Sequence, residues 1–265
     1  MSKETLTVVK IGGNIVDSPS ELDRILDEFV KLSGKKILVH GGGKIATKIS
    51  RALGIETKMV EGRRITDKET IEVVTMVYAG GINKSIVAQL QAKGQSAWGV
   101  CGADGGIIPS LRRPVKDIDY GYVGDVKTSE IKSEVFSTLL SAGFSIVVAP
   151  ITMSVDGELL NTNADTIAQS LAVALSSLYA VQLVYIFEKP GVLEDVNDET
   201  SVIENITTES YVSLKKEGKI FEGMIPKIDN ALKAVSSGVG EVRISNSCLL
   251  GTGTTIKGSS NFSIK

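Results

Sequence analysis

Along the chain, short β-branched runs alternate with longer stretches in which apolar residues return every three or four positions. The runs are "LTVVKI" (6–11), "KKILVH" (35–40), "SAWGV" (96–100), "FSIVVAP" (144–150), "LVYIF" (183–187) and "EVRIS" (241–245). Helical period marks Glu21–Leu32, Lys44–Leu53, Lys68–Ala92, Ser129–Ala142, Ala164–Ser177, Thr208–Glu217 and Pro226–Ser237. Most of the runs are apolar on successive positions rather than on alternate ones, the mark of strands buried on both faces. The pattern predicts an α/β fold with a mostly parallel sheet and helices on both sides. In such sheets ligands collect outside the carboxyl ends of the strands, so those ends are where chemistry is to be sought.

Two stretches break the alternation. "GELLNT" (157–162), following "PITMSVD", and "CGADGGIIPSLRRPVKDIDYGYVGDV" (101–126) are rich in Gly, Pro and Asp. Such composition predicts hairpins laid over the sheet in the manner of a lid, not further crossover units. A boundary is expected near "ALSSLYA", dividing residues 1–178 from 179–265.

Composition narrows the class. The chain has 265 residues, 42% hydrophobic and 23% charged, with a formal net charge of −2, which rules out disordered and fibrous classes. Cys101 and Cys248 are the only cysteines, too few for a disulfide framework or a four-ligand zinc site. Both are expected in the core of a cytoplasmic protein. The amino terminus lacks a signal-peptide pattern, and no apolar run approaches the ~20 residues that span a bilayer. No membrane association is expected. Acidic and basic residues are interspersed, which argues against a nucleic-acid partner.

Candidate chemistry sits at two strand ends. In "VVKIGGN" a strand runs into a lysine and two glycines, a grammar that brings backbone N–H groups and a compact positive charge close to an anion. The next strand ends in "ILVHGGGK", where three glycines lead into a helix whose first N–H groups are free. Neither stretch matches the P-loop or the dinucleotide fingerprint. "GTGTTI" from Gly251 superficially resembles the latter, but no helix follows it, and it reads as a turn. His40, the only histidine, reads as a structural residue beneath the glycines.

"VVKIGGN", "VHGGGK", "EGRRITD", "LNTNADT", "EKPGVL" and "GMIPKI", in this order and spacing, resemble the amino acid kinase family over essentially the whole chain. The resemblance implies an open αβα sandwich of the carbamate kinase-like kind. Its amino-terminal lobe, 1–178, would hold an acyl amino acid and the dimer contact, and its carboxyl-terminal lobe, 179–265, would hold ATP. It also implies ATP- and Mg2+-dependent phosphorylation of a side-chain carboxylate, with N-acetyl-L-glutamate as the acceptor in arginine synthesis. N-succinylglutamate, or amino-blocked aminoadipate in lysine synthesis, stay open as acceptors, as does a sensor that binds without turnover.

A glutamate carboxylate, with a pKa near ~4.3, is already ionised at neutral pH, so such a transfer needs no general base. The obstacle is the approach of an anion to an anionic phosphoryl group, and cationic clamping overcomes it. By the resemblance, Lys10 and Lys227 reach that group, Asp165 orients them, and Gly12, Gly13, Gly42 and Gly43 surround it with N–H donors. Arg64 would take the acceptor's α-carboxylate, and Asn161 and Asn163 its acyl-amino and carboxylate groups. The nucleotide would lie along Glu188, Lys189, Pro190, Gly191, Val192 and Leu193, with Lys219, Ile220 and Phe221 nearby. No side chain is expected to ligate Mg2+, which would be held by ATP oxygens and water.

Two departures from the family pattern stand out. Phe187 and Glu188 replace a threonine and an aspartate, and Arg63 stands where an apolar residue is common. Arg63 would suit a longer, anionic acyl group. A homodimer built around Lys68–Ala92 is expected, without arginine feedback, because the arginine-sensitive members carry a helix ahead of the first strand.

Overall fold

A computed structural model of the protein describes residues 3–60, 63–220, 224–249 and 251–258. The strands, in chain order, are β1 (Thr5–Ile11), β2 (Lys35–His40), β3 (Met59–Val60), β4 (Arg63–Arg64), β5 (Ala97–Val100), β6 (Ser110–Arg112), β7 (Gly124–Val126), β8 (Ser145–Val148), β9 (Ile151–Met153), β10 (Leu159–Asn161), β11 (Ala180–Ile186), β12 (Asn205–Ile206), β13 (Glu241–Ser245) and β14 (Thr254–Ile256). The helices are α1 (Gly13–Val16), α2 (Pro19–Lys31), α3 (Gly43–Ala52), α4 (Lys68–Thr75), α5 (Asn83–Ala92), α6 (Ser133–Ser141), α7 (Ala164–Leu175), α8 (Thr208–Lys216) and α9 (Ile225–Ser236).

One eight-stranded sheet runs in the order β12-β14-β13-β11-β1-β2-β8-β5 and is parallel except between β13 and β14. Successive residues of its central strands serve opposite layers. Leu6 and Val8 join a core with α6, α7 and α9, while Val9 and Ile11 join a core with α2, α3, α4 and α5. This three-layer arrangement is the αβα sandwich expected from the runs, and both cysteines are buried in it. The sheet is continuous across residue 178, with β1 paired on one side to β11 and on the other to β2.

Three hairpins, β3-β4, β6-β7 and β9-β10, lie outside the main sheet. Bridges Thr66–Gly121, Val123–Asn161 and Pro109–Met153 tie them to one another. Among the described residues no helix is long and apolar enough to cross a membrane.

Three segments differ from the sequence expectation. "GTGTTI" is only half a turn: Thr254–Ile256 enters the sheet antiparallel to β13, because its β-branched residues fill an edge beside Val242 and Ile244. The stretch from Ser129 begins with a 3-10 turn, Thr128–Glu130, and helix α6 starts only at Ser133. The helical stretch Lys68–Ala92 is interrupted by a π-helical segment, Met76–Ile82, around the weak helix formers Gly80 and Gly81.

His40 is fully buried, as a structural role requires. Its Nδ1–H donates to the Gly41 carbonyl (2.9 Å) and Nε2 accepts from Asn83 Nδ2 (3.3 Å). Burial pushes its pKa from 6.5 down to about 4. Between those values the unfolded chain takes up a proton that the folded chain refuses, so stability falls as pH drops from about 6.5 towards 4. The loss is about 1.4 kcal/mol per pH unit, roughly 3 kcal/mol in all. Urea midpoints at pH 7.5 and 4.5 check this: the drop is expected to be smaller in His40→Gln than in the parent, and equal drops would refute it.

Candidate active site

The carboxyl ends of β1 and β2 carry the two glycine turns, and they touch. The Gly41 N–H donates to the Ile11 carbonyl (3.1 Å), and a Cβ on Gly41 would sit 3.3 Å from the Gly13 nitrogen. Gly42 has φ of +156°, and a side chain there would run into Ile82 and Tyr78 of the π-helical segment. The interruption of the long helix therefore has a local consequence, since it packs Tyr78 and Ile82 beneath the glycines. Gly12 caps α1 and Gly42 caps α3, so two helix starts with free N–H groups open beside each other.

Lys10, one residue before the end of β1, is 7% exposed and lies on the face that packs against α7. Asn163 caps that helix by accepting from the N–H groups of Asp165 (2.8 Å) and Thr166 (3.1 Å). With the first turn fixed in this way, Asp165 meets Lys10 in a 2.8 Å ion pair. The Tyr185 hydroxyl, 3.5 Å from the Asp165 carbonyl, ties the same turn to β11.

Lys227, in the first turn of α9, is placed differently from the expectation that Asp165 would hold both lysines. Its ammonium lies over the Phe187 ring, 3.6 Å from the centroid, and among the described residues it forms no ion pair. Lys10 Nζ is 5.6 Å from the same centroid. Burial lowers the Lys227 pKa, Asp165 raises it, Lys10 lowers it further and Glu188 raises it. Asp165 thus acts on Lys227 through space and on Lys10 by contact.

On the opposite wall, Arg64 of β4 is 7% exposed. It donates to the Gly43 carbonyl (2.9 Å), to Thr47 Oγ1 (2.8 Å) and to Thr57 Oγ1 (3.1 Å). Both hydrogens of Nη2 are occupied, and the Tyr78 hydroxyl also interacts with the guanidinium, so only part of the fork is left for an incoming group. Asn161, closing β10, donates to Thr66 Oγ1 (3.0 Å), and Asn163 keeps its amide NH2 free because capping uses only its oxygen. Arg113 spends Nε and Nη2 on Asp125, while its buried Nη1 has no partner.

These walls enclose one cleft of about 1560 Å³. Lys10, Gly12, Gly13, Gly42, Gly43, Arg64, Asn161, Asn163, Asp165, Glu188, Lys189, Gly191 and Lys227 all line it. Pro190, Val192, Leu193, Lys219 and Ile220 do not. Val192 and Leu193 are buried, with the Val192 N–H held by Thr254 Oγ1 (2.8 Å) and Leu193 bridged to Val202. Ile220 is in the core, and Lys219 pairs with Glu217 at the surface (3.1 Å). The expectation for Phe221 lies outside the described residues.

Sequence reading missed Asn14, whose amide binds Glu188, along with Thr47 and Thr57. Asn14 was findable, since it directly follows the Gly-Gly pair, whereas nothing local to Thr57 announces its contact with Arg64. Among the described residues no group of three His, Cys, Asp or Glu side chains gathers to hold a metal ion. Two helix starts and two ammoniums facing one cleft suit a polyanion in which negative charge shifts between oxygens.

Known proteins share both the chain and this architecture. The protein is 51% identical over 257 residues to an acetylglutamate kinase of Phocaeicola vulgatus, covering 96% of this chain and 99% of that one. Among solved structures it resembles smu.665 from Streptococcus mutans at a TM-score of 0.75 and 30% identity, covering 95% and 98% of the two chains. The carbamate kinase of Giardia lamblia bound to AMP-PNP has the same fold at a TM-score of 0.67, covering 97% and 99% of the two chains at 15% identity. The amino acid kinase family model spans residues 5–246, from the first strand of the central sheet to the residue after β13, and so takes in every wall of the cleft: the chain belongs to the amino acid kinase family.

Proposed function

We propose that this protein phosphorylates the side-chain carboxylate of N-acetyl-L-glutamate with ATP, giving N-acetylglutamyl 5-phosphate for arginine synthesis. The observation that carries the reading is the convergence of Lys10, Lys227 and the α1 and α3 starts on one cleft. The near-full-length relative named acetylglutamate kinase supports the acceptor.

In this reading the acceptor carboxylate arrives ionised and the protein removes no proton from it. The chain aligns two anions and holds the charge that spreads over the transferred group. Lys10 faces that group from β1 and Lys227 faces it from α9. The N–H groups around Gly12, Gly13, Gly42 and Gly43 surround its oxygens. Asp165 keeps Lys10 charged and aimed. The part of the Arg64 fork left by Gly43, Thr47, Thr57 and Tyr78, with the amide of Asn163, holds the acceptor's α-carboxylate and acyl-amino ends. Mg2+ would be held by the ATP oxygens and water, where it would offset phosphate charge.

The lobe from 179 onward carries the nucleotide in this scheme, with Glu188, Lys189 and Gly191 at the cleft. The enzyme is cytosolic and works as a homodimer around the helix from Lys68 to Ala92, which leaves Met76 exposed.

A second acceptor, N-succinylglutamate, is favoured by one observation: Arg63 and Arg113 both line the cleft, and Arg113 keeps a buried, unpartnered Nη1. Hydroxylamine trapping of the acyl phosphate, with both acyl glutamates and blocked aminoadipate in parallel, tests these readings. Hydroxamate from N-acetylglutamate is the expected result. A higher kcat/KM for the succinyl compound that disappears in Arg63→Ala would transfer the assignment, and ATP binding without any hydroxamate would overturn the kinase reading.

A further inference from the structure

Phe187 stands where the family pattern has a small polar residue, and its ring meets both ammoniums of the cleft. The residue is held firmly. Its N–H donates to the Ser245 carbonyl (2.8 Å), and its ring lies 6.3 Å from that of Tyr185, tilted by 32°. It also packs at the edge of the core beneath α7 and α9. A ring so fixed presents a surface of constant position and negative electrostatic character.

We infer that Phe187 is a positioning residue for the transfer reaction, its ring face holding the Lys227 ammonium, and more weakly that of Lys10, in line with the transferred phosphoryl group. The inference rests on the kinase reading above. Its physical content is a division of labour between two kinds of support. A carboxylate that holds a lysine by contact, as Asp165 holds Lys10 at 2.8 Å, cancels part of its charge. An aromatic face attracts the ammonium without cancelling its charge, and the N–H donors of Lys227 that point away from the ring stay available to the substrate. It also offsets the two costs imposed on Lys227, namely burial and the nearby positive charge of Lys10. The charged groups facing Lys227 are Asp165 from α7, Lys10 from β1 and Glu188 from the loop after β11. Asp165 and Glu188 favour its charged form from a distance, and the ring does so by contact.

The test is a fluorination series: 4-fluoro-, 3,5-difluoro- and 3,4,5-trifluorophenylalanine at position 187, with Phe187→Leu and Phe187→Tyr alongside. Fluorine drains the ring face at nearly constant shape, so this series stays informative even if the leucine variant folds poorly. The expected result is a stepwise fall in kcat, reaching roughly tenfold for the trifluoro ring. KM for ATP and acceptor should stay within about twofold, since positioning acts after both are bound. The alkaline limb of kcat should move to lower pH as the ring loses its hold on the ammonium, and tyrosine should restore parental values. A flat kcat with an unmoved alkaline limb across the series overturns the role of Phe187. Absence of acyl-phosphate formation by the parent protein would instead defeat the kinase reading on which the inference stands.

Discussion

Lys10→Ala is expected to lower kcat/KM for acyl-phosphate formation by about a thousandfold, about 4 kcal/mol of transition-state stabilisation. Lys10 is the more deeply set of the two ammoniums, 7% exposed at the end of β1, and its charge is aimed by the 2.8 Å contact with Asp165. In water a lysine beside a phosphate adds little, but in a cleft floored by backbone the same charge acts through few intervening water molecules. Nothing in the surroundings replaces it, because Lys227 already has its own place against the Phe187 ring and approaches the group from α9. The fold should survive the change. Asp165, the partner left behind, has a side chain 41% exposed and is hydrated when the lysine is gone. Steady-state kinetics together with a thermal melt check both halves. A loss of less than tenfold in a protein that melts normally would remove Lys10 from the transferring group.

Asp165→Asn should reduce kcat by about a hundredfold, with no solvent deuterium isotope effect on the transfer step in either the parent or the variant. The substitution keeps size and one acceptor oxygen but removes the charge that holds Lys10. Helix α7 should be indifferent, because its cap is the Asn163 side chain and not Asp165. A solvent isotope effect separates two roles. A carboxylate that took a proton in the transfer step would slow that step in deuterium oxide, whereas one that only orients an ammonium moves no proton and leaves the rate unchanged. A solvent isotope effect on the parent's transfer step that vanishes in Asp165→Asn would make this residue a base and would contradict the mechanism above.

Much of the fold was legible because it is written in short-range terms. "KKILVH" and "EVRIS" become strands at their own boundaries, Lys35–His40 and Glu241–Ser245. "KKILVH" is apolar on successive positions, whereas "EVRIS" alternates and buries Arg243 through bonds to the Cys248 and Leu249 carbonyls. The glycine turns were equally readable, since a strand that runs into Gly-Gly before a helix has few conformations open to it. The π-helical segment was not readable in this way. Met76–Ile82 keeps a helical period, and only the presence of Gly42 against Ile82 and Tyr78 gives the wider turn a purpose.

The site divides along the same line. Lys10 and the glycines could be named from the strand-end pattern, whereas Asp165 and Arg64 could be named only through the resemblance to the amino acid kinase family. Their partners could not. Arg64 spends much of its fork on Gly43, Thr47 and Thr57, and Glu188 turns to Asn14. The loop residues Val192 and Leu193 sink into the core through Thr254 and Val202. Local order, burial on two faces and the placement of reactive side chains at strand ends follow from propensity and patterning within a few residues. Which aromatic ring lies under Lys227 depends on α9 and β11 closing onto one another from distant parts of the chain, and only the packed sheet brings those surfaces within contact.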